Sequence, residues 1–112
     1  MMDNEELMHD LIIDRLRRKF AREYKEIRVN REGDPDIALS NHGLTIAVVE
    51  VETENSITPE KAKIWRELSR SGSKLILIVP HNSKAKTMEL LWEQGIADKV
   101  GIGSYEIKIT MP

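Results

Sequence analysis

The chain contains no cysteine, which excludes disulfide bridges and any thiolate-held metal site. Aromatic residues make up only 4%, so the core has to be built from aliphatic side chains. No apolar run approaches the roughly 20 residues that a membrane-spanning helix needs, and the first residues are acidic and polar rather than signal-like. A cytoplasmic protein without membrane contact is the expectation. A net basic charge is also lacking. The formal total is −2, which argues against a surface coated in basic residues. Repeats, linkers and low-complexity tracts are absent as well.

What is present is a charged chain of 112 residues, 32% of them Asp, Glu, Lys or Arg. That length suits one domain over residues 1–112, with a single core that needs no covalent staple. The charge is unevenly placed. Residues 3–14 hold five acids (Asp3, Glu5, Glu6, Asp10, Asp14) and no Lys or Arg, whereas residues 15–31 hold eight bases against two acids. A near-neutral total can therefore conceal one basic surface. Arg15, Arg18 and Arg22 are the candidates for contacting a phosphate backbone. The same stretch also allows ordinary i,i+4 pairs such as Asp14 with Arg18 and Arg22 with Glu26.

Residues 3 to about 24 read as a helix, with Asp3 or Asn4 as cap and acids in the first turn. Its apolar stripe is Leu7, Met8, Leu11, Ile12, Leu16, Phe20 and Tyr24, with Glu6, His9 and Ile13 at the margin. A short strand over 26–30 and a turn follow. A second strand, 36–39, leads through a hairpin loop at 40–43 to a third strand, 44–51. This third strand is β-branched and apolar, hence central. Period two places Ile46, Val48, Glu50 and Glu52 on one face and Ala47, Val49 and Val51 on the other.

Thr58-Pro59-Glu60 opens a second helix, with Ala62, Trp65, Leu68 and Ile64 inward and Gly72 past its end. The run 74–80 reads as a strand parallel to the third, because a helix separates them. Ser83 caps a third helix facing inward through Ala85, Met88, Leu91 and Trp92. The alternation of Tyr105, Ile107 and Ile109 suggests a last, half-exposed edge strand. The order is α-β-β-β-α-β-α-β, an α/β fold with a mixed sheet between helices.

Asp36, Glu50 and Glu52 are carboxylates set into this sheet, where burial is costly unless something pairs with them. Asp36 and Glu50 sit on neighbouring strands across a hairpin, within reach of one ion. Two such carboxylates with the Val51 carbonyl would offer the oxygen ligands that Mg²⁺ or Mn²⁺ prefers. Such an ion can stabilise charge and activate water in phosphodiester hydrolysis.

Pro35-Asp36, followed after the hairpin by Glu50-Val51-Glu52 at the end of an apolar strand, resembles the PD-(D/E)xK nuclease superfamily. The order helix, three-strand meander, helix, strand over residues 3–80 is similar too. The resemblance implies a restriction endonuclease-like fold and a Mg²⁺- or Mn²⁺-dependent nuclease acting on DNA. Asp36 matches the motif aspartate and Glu50 the D/E position. Glu52 stands where the lysine belongs. In its place, Glu52 can act as a general base or further ligand, or Lys61 or Lys63 on the following helix can supply the ammonium. The resemblance also implies a glutamate on the first helix near the metal, for which Glu6 is chosen, with Glu5 and His9 as rivals. It further implies a homodimer that engages both strands.

The competing reading keeps the fold without catalysis, as a module binding nucleic acid or a partner protein. His9, His42 and His81 show no metal spacing. Trp65 and Trp92 lie on apolar stripes and read as core. The glycines of residues 95–103 do not follow a strand and open a helix, so they are no dinucleotide loop. Glu54, Asn55 and Ser56 form a turn beside the presumed site.

Overall fold

The computed structural model describes residues 4–107. Three helices and five strands follow one another in the expected order: α1 (Asn4–Phe20), β1 (Glu26–Val29), β2 (Ile37–Asn41), β3 (Leu44–Val51), α2 (Pro59–Ser69), β4 (Lys74–Pro80), α3 (Lys84–Glu93) and β5 (Val100–Tyr105). The strands lie side by side in sequence order. β1, β2 and β3 form an antiparallel meander, and β3, β4 and β5 are parallel. Among the described residues no helix is long and apolar enough to cross a membrane.

The hairpin between β2 and β3 is tighter than expected. Ser40 and Asn41 belong to β2, leaving His42 (φ 53°) and Gly43 (φ 77°) as the turn. Positive φ at both central residues is the conformation that matches the twist of a two-residue hairpin. Further along, the register shifts between Leu39 and Ser40, so one extra residue of β3 is accommodated there. Ile46 falls at this irregularity and is exposed instead of sharing the inward face of Val48.

The sheet has a core on each side. Val48, Leu75, Leu77 and Val79 pack under α2 and α3 with Ile57, Ala62, Trp65, Leu90, Leu91 and Ile96. Ile37, Leu39, Ala47, Val49, Val51 and Ile78 pack under α1 with Ile12 and Ile13. The period-two reading of β3 therefore holds from Ala47 to Val51.

Helix phases depart from expectation. Leu7 and Leu11 are half exposed, and Ile13 is buried instead; α1 meets the sheet through Met8, Ile12, Ile13, Leu16 and Phe20. On α2, Thr58 caps as read, its Oγ1 accepting the Lys61 N–H at 3.1 Å, but Ile64 faces out. On α3 the buried residues are Thr87, Leu90 and Leu91, while Ala85, Met88 and Trp92 are exposed. Thr87 tolerates burial because its hydroxyl donates to the Ser83 carbonyl at 2.8 Å, within its own helix turn. Ser83 precedes α3 without a side-chain cap bond.

The last strand lies earlier than expected. β5 is Val100–Tyr105, parallel to β4 at the sheet edge. Glu106 and Ile107 follow it outside the strand, and Ile109, like Asp3, lies outside the described residues. Two of its residues are glycines that face β4 closely. A Cβ on Gly103 would stand 2.8 Å from Ile78 Cδ1.

Candidate metal centre

The ladder between β2 and β3 sets Ile37 opposite Val49, so one step further along places Asp36 beside Glu50. Side chains close this end of the hairpin reciprocally. The Asp36 amide donates to Glu50 Oε1 at 2.8 Å, and the Val51 amide donates to Asp36 Oδ2 at 2.7 Å. Asp34, two residues before Asp36 in the turn leading to β2, joins them. Ligand atoms of Asp34, Asp36 and Glu50 all lie within 4.8 Å of one another, close enough to hold one metal ion. Val51, expected to offer its carbonyl, meets the cluster through its amide.

Glu50 is 0% exposed, and its Oε2 has no hydrogen-bond partner among the described residues. Burial, then the Asp34 carboxyl beside it and the charge of Asp36, push the Glu50 pKa up to about 9, against the opposing pull of Lys61. This oxygen, buried next to two further carboxylates, has the Lys61 ammonium 3.5 Å away and no hydrogen bond. The all-oxygen donor set suits a hard divalent ion such as Mg²⁺ or Mn²⁺.

Positive charge reaches the cluster from the next helix. Lys61 Nζ lies 3.4 Å from Glu52 Oε1, 3.5 Å from Glu50 Oε2 and 3.6 Å from Asp34 Oδ1. Burial lowers its pKa, but Glu52, Glu50 and Asp34 together outweigh that and hold it above the usual lysine value. Lys61 can reach because it sits in the first turn of α2, directly above the end of β3. Lys63 is exposed and takes no part.

Glu52 continues β3's inward face, as the alternation required. It is 1% exposed, and both of its oxygens are engaged, Oε1 by Lys61 and Oε2 by the Trp65 indole N–H at 3.2 Å. Burial raises its pKa to about 7, with Lys61 and Trp65 opposing. Glu52 therefore anchors the lysine, and the free carboxylate expected of a water-activating base is not what the geometry offers. Trp65 is core, as expected, and also gives this hydrogen bond. Tyr105 adds a tie from β5, its hydroxyl donating to the Glu52 carbonyl at 2.9 Å.

A cleft of about 660 Å³ runs along α1, lined by His9, Val51, Glu52 and Lys61, neighbours of the cluster, but by none of Asp34, Asp36 and Glu50 themselves. His9 touches the centre from α1, with Nε2 3.2 Å from Asp36 Oδ2. Glu6, the first choice from sequence, borders the cleft, and Glu5 accepts the Asn55 N–H at 3.3 Å. The hydrogen bond to Asp36 raises the His9 pKa, with burial opposing it. The arginines lining the cleft are Arg17 and Arg31. Arg15, Arg18 and Arg22 do not line it; Arg18 pairs with Asp14 at 3.2 Å. Arg17, which does line it, also pairs with Asp14, at 3.6 Å.

Comparison with protein families, with curated proteins and with solved structures gave no significant match.

Asp34 is the site residue that sequence reasoning missed. Its place in the bend before β2, off the strand, left no period-two signal to find it by. His9 carried no such signal either, since its approach depends on how α1 is rotated over the sheet.

Proposed function

We propose that this chain is a Mg²⁺- or Mn²⁺-dependent phosphodiesterase that cleaves nucleic acid, DNA being the substrate of choice, on a restriction endonuclease-like fold. The single observation that carries the reading is Glu50 Oε2, fully buried, without a hydrogen bond, and converging with Asp34 and Asp36. The order α-β-β-β-α-β and the position of the cluster at the end of β3 support the fold assignment. The crevice at the carboxyl ends of parallel strands is also where open α/β sheets place their ligands.

Asp34, Asp36 and Glu50 would hold the ion. When bound, it would supply charge stabilisation on phosphoryl oxygens and lower the pKa of a water. Lys61 keeps an ammonium beside these carboxylates, placed to neutralise charge developing on a phosphate in the cleft. Glu52 and Trp65 fix that lysine. Arg17 and Arg31 attract the backbone further along the cleft.

The test is cleavage of plasmid, linear, branched and single-stranded DNA by the purified chain with Mg²⁺ or Mn²⁺. Cleavage that falls at least about 100-fold in Asp36→Asn and in Glu50→Gln supports the assignment, in line with the cost of losing a major electrostatic group at an active site. Cleavage equal to wild type in both variants assigns the activity to a contaminant.

One observation favours the second reading, a nuclease-like module that binds without cutting. Lys61 already gives the buried carboxylates a counter-charge. That reading predicts no uptake of Mn²⁺ and salt-sensitive binding to nucleic acid alone. For the homodimer expected from the sequence, the open outer edge of β5 offers the pairing surface, and sedimentation of the purified chain tests it.

A further inference from the structure

Two donors from different elements converge on one oxygen of Asp36. Its Oδ2 accepts the Val51 N–H from β3 at 2.7 Å and faces His9 Nε2 from α1 at 3.2 Å. Asp36 Oδ1 accepts no hydrogen bond among the described residues. His9 is not itself one of the groups whose ligand atoms converge, because its Nε2 is directed at the carboxylate. Its Nδ1 stands 3.7 Å from Asp10 Oδ1, too far for a hydrogen bond.

We propose that His9 is a positioning residue of the metal centre: by donating from Nε2 to Asp36 Oδ2, it leaves Oδ1 as the oxygen presented to a divalent cation. The inference rests on the metal reading given above. A carboxylate free to rotate would offer the ion either oxygen, or both. Held by a strand amide on one side and an imidazole on the other, it has one orientation. Partners in this outer position commonly fix ligand geometry and change metal affinity without touching the metal. Both the Nε2–H tautomer and the imidazolium carry the required proton, so the role does not depend on the ring's charge. The half-buried ring also closes this side of the cleft, and α1 does not depend on it for anchorage, since Ile12 and Ile13 already pack into the core.

The experiment is a Mn²⁺ titration of the full chain by calorimetry, with the electron paramagnetic resonance spectrum of the bound ion, for wild type, His9→Ala and His9→Gln. The proposal expects His9→Ala to weaken Mn²⁺ binding about 10- to 100-fold and to alter the spectrum. It expects His9→Gln, which keeps an N–H donor, to recover most of the affinity and the wild-type spectrum. The melting temperature of the metal-free protein should change little in either variant. Wild-type affinity and spectrum in His9→Ala, or no rescue by His9→Gln, overturns the proposal while the metal reading stands. A wild-type chain that takes up no Mn²⁺ overturns both.

Discussion

At the scale of single residues, Glu50 sets the behaviour of the centre. Its pKa in the folded chain is pushed up to about 9, above the ordinary glutamate value, because burial disfavours the charge. A group raised in this way stabilises the fold fully below its unfolded pKa and loses that contribution as pH climbs through the folded value. Glu52, raised to about 7, acts in the same direction. Metal-free protein should therefore lose stability between about pH 5 and 9, by at most about 1.4 kcal/mol per pH unit for each proton involved. Urea unfolding across this range checks it, and Glu50→Gln should flatten the upper part of the profile. A cation entering the site must displace the Glu50 proton, so Mn²⁺ uptake near pH 7.5 should release protons. Calorimetry in buffers of different ionisation enthalpy measures that release. Lys61→Ala should cost about 3 kcal/mol at pH 8, the scale on which a buried ion pair is broken by losing one partner, and less at pH 5, where Glu50 and Glu52 are protonated.

These residues were unequally legible. Asp36, Glu50 and Glu52 were visible in the sequence because charge inside an apolar, period-two run is physically anomalous. Lys61 could be offered only as one of two lysines, since one turn of helix separates pointing at the strand end from pointing at solvent. What Glu52 does was not legible, because its role depends on Trp65 and Lys61 meeting it from α2.

At the scale of elements, β3 and β4 were recognisable to their ends and α2 at its start, since β-branched runs and a Thr-Pro start leave few alternatives, whereas α2 stops at Ser69, short of Gly72. Helix phase was harder. α1 and α3 carry more apolar side chains than one face can bury, so the sheet decides which are used. Leu7 and Leu11 lost to Ile13, and Met88 and Trp92 lost to Leu90 and a self-bonded Thr87. β5 escaped notice because Val100-Gly-Ile-Gly-Ser-Tyr105 has the composition of a loop. Its glycines serve close strand approach, and they differ. Gly103→Ala meets Ile78 at 2.8 Å, whereas Gly101→Ala meets only the flexible end of Lys74 at 3.3 Å. The first should destabilise by about 1–3 kcal/mol, the scale of overpacking, and the second clearly less, as thermal or urea unfolding would show. The rotation of α1 carries a functional prediction as well. Arg17→Ala and Arg31→Ala should each lower the salt dependence of nucleic-acid binding, log K against log [salt], by about 1, while Arg15→Ala, Arg18→Ala and Arg22→Ala leave it unchanged.

At the scale of the whole molecule, acids outnumber bases in the cleft, with Lys61 the base next to the carboxylate cluster. Glu5, Glu6, Asp10, Asp14 and Glu52 line it against Arg17, Arg31 and Lys61, and His9 and Lys61 link it to the Asp34–Asp36–Glu50 cluster. Such a surface repels phosphate until a cation is bound. Binding of a fluorescent DNA duplex at constant ionic strength should therefore be weak in EDTA and at least tenfold tighter in Ca²⁺, which supports binding while being a poor substitute for Mg²⁺ in geometry. The central claim, that these three carboxylates form a divalent-cation site, is tested most directly by a crystal of the chain soaked in Mn²⁺ and measured for anomalous scattering. The account predicts one strong peak bounded by oxygens of Asp34, Asp36 and Glu50, with the Asp36 ligand being Oδ1. A map without that peak, with Lys61 Nζ still against Glu50, would contradict it.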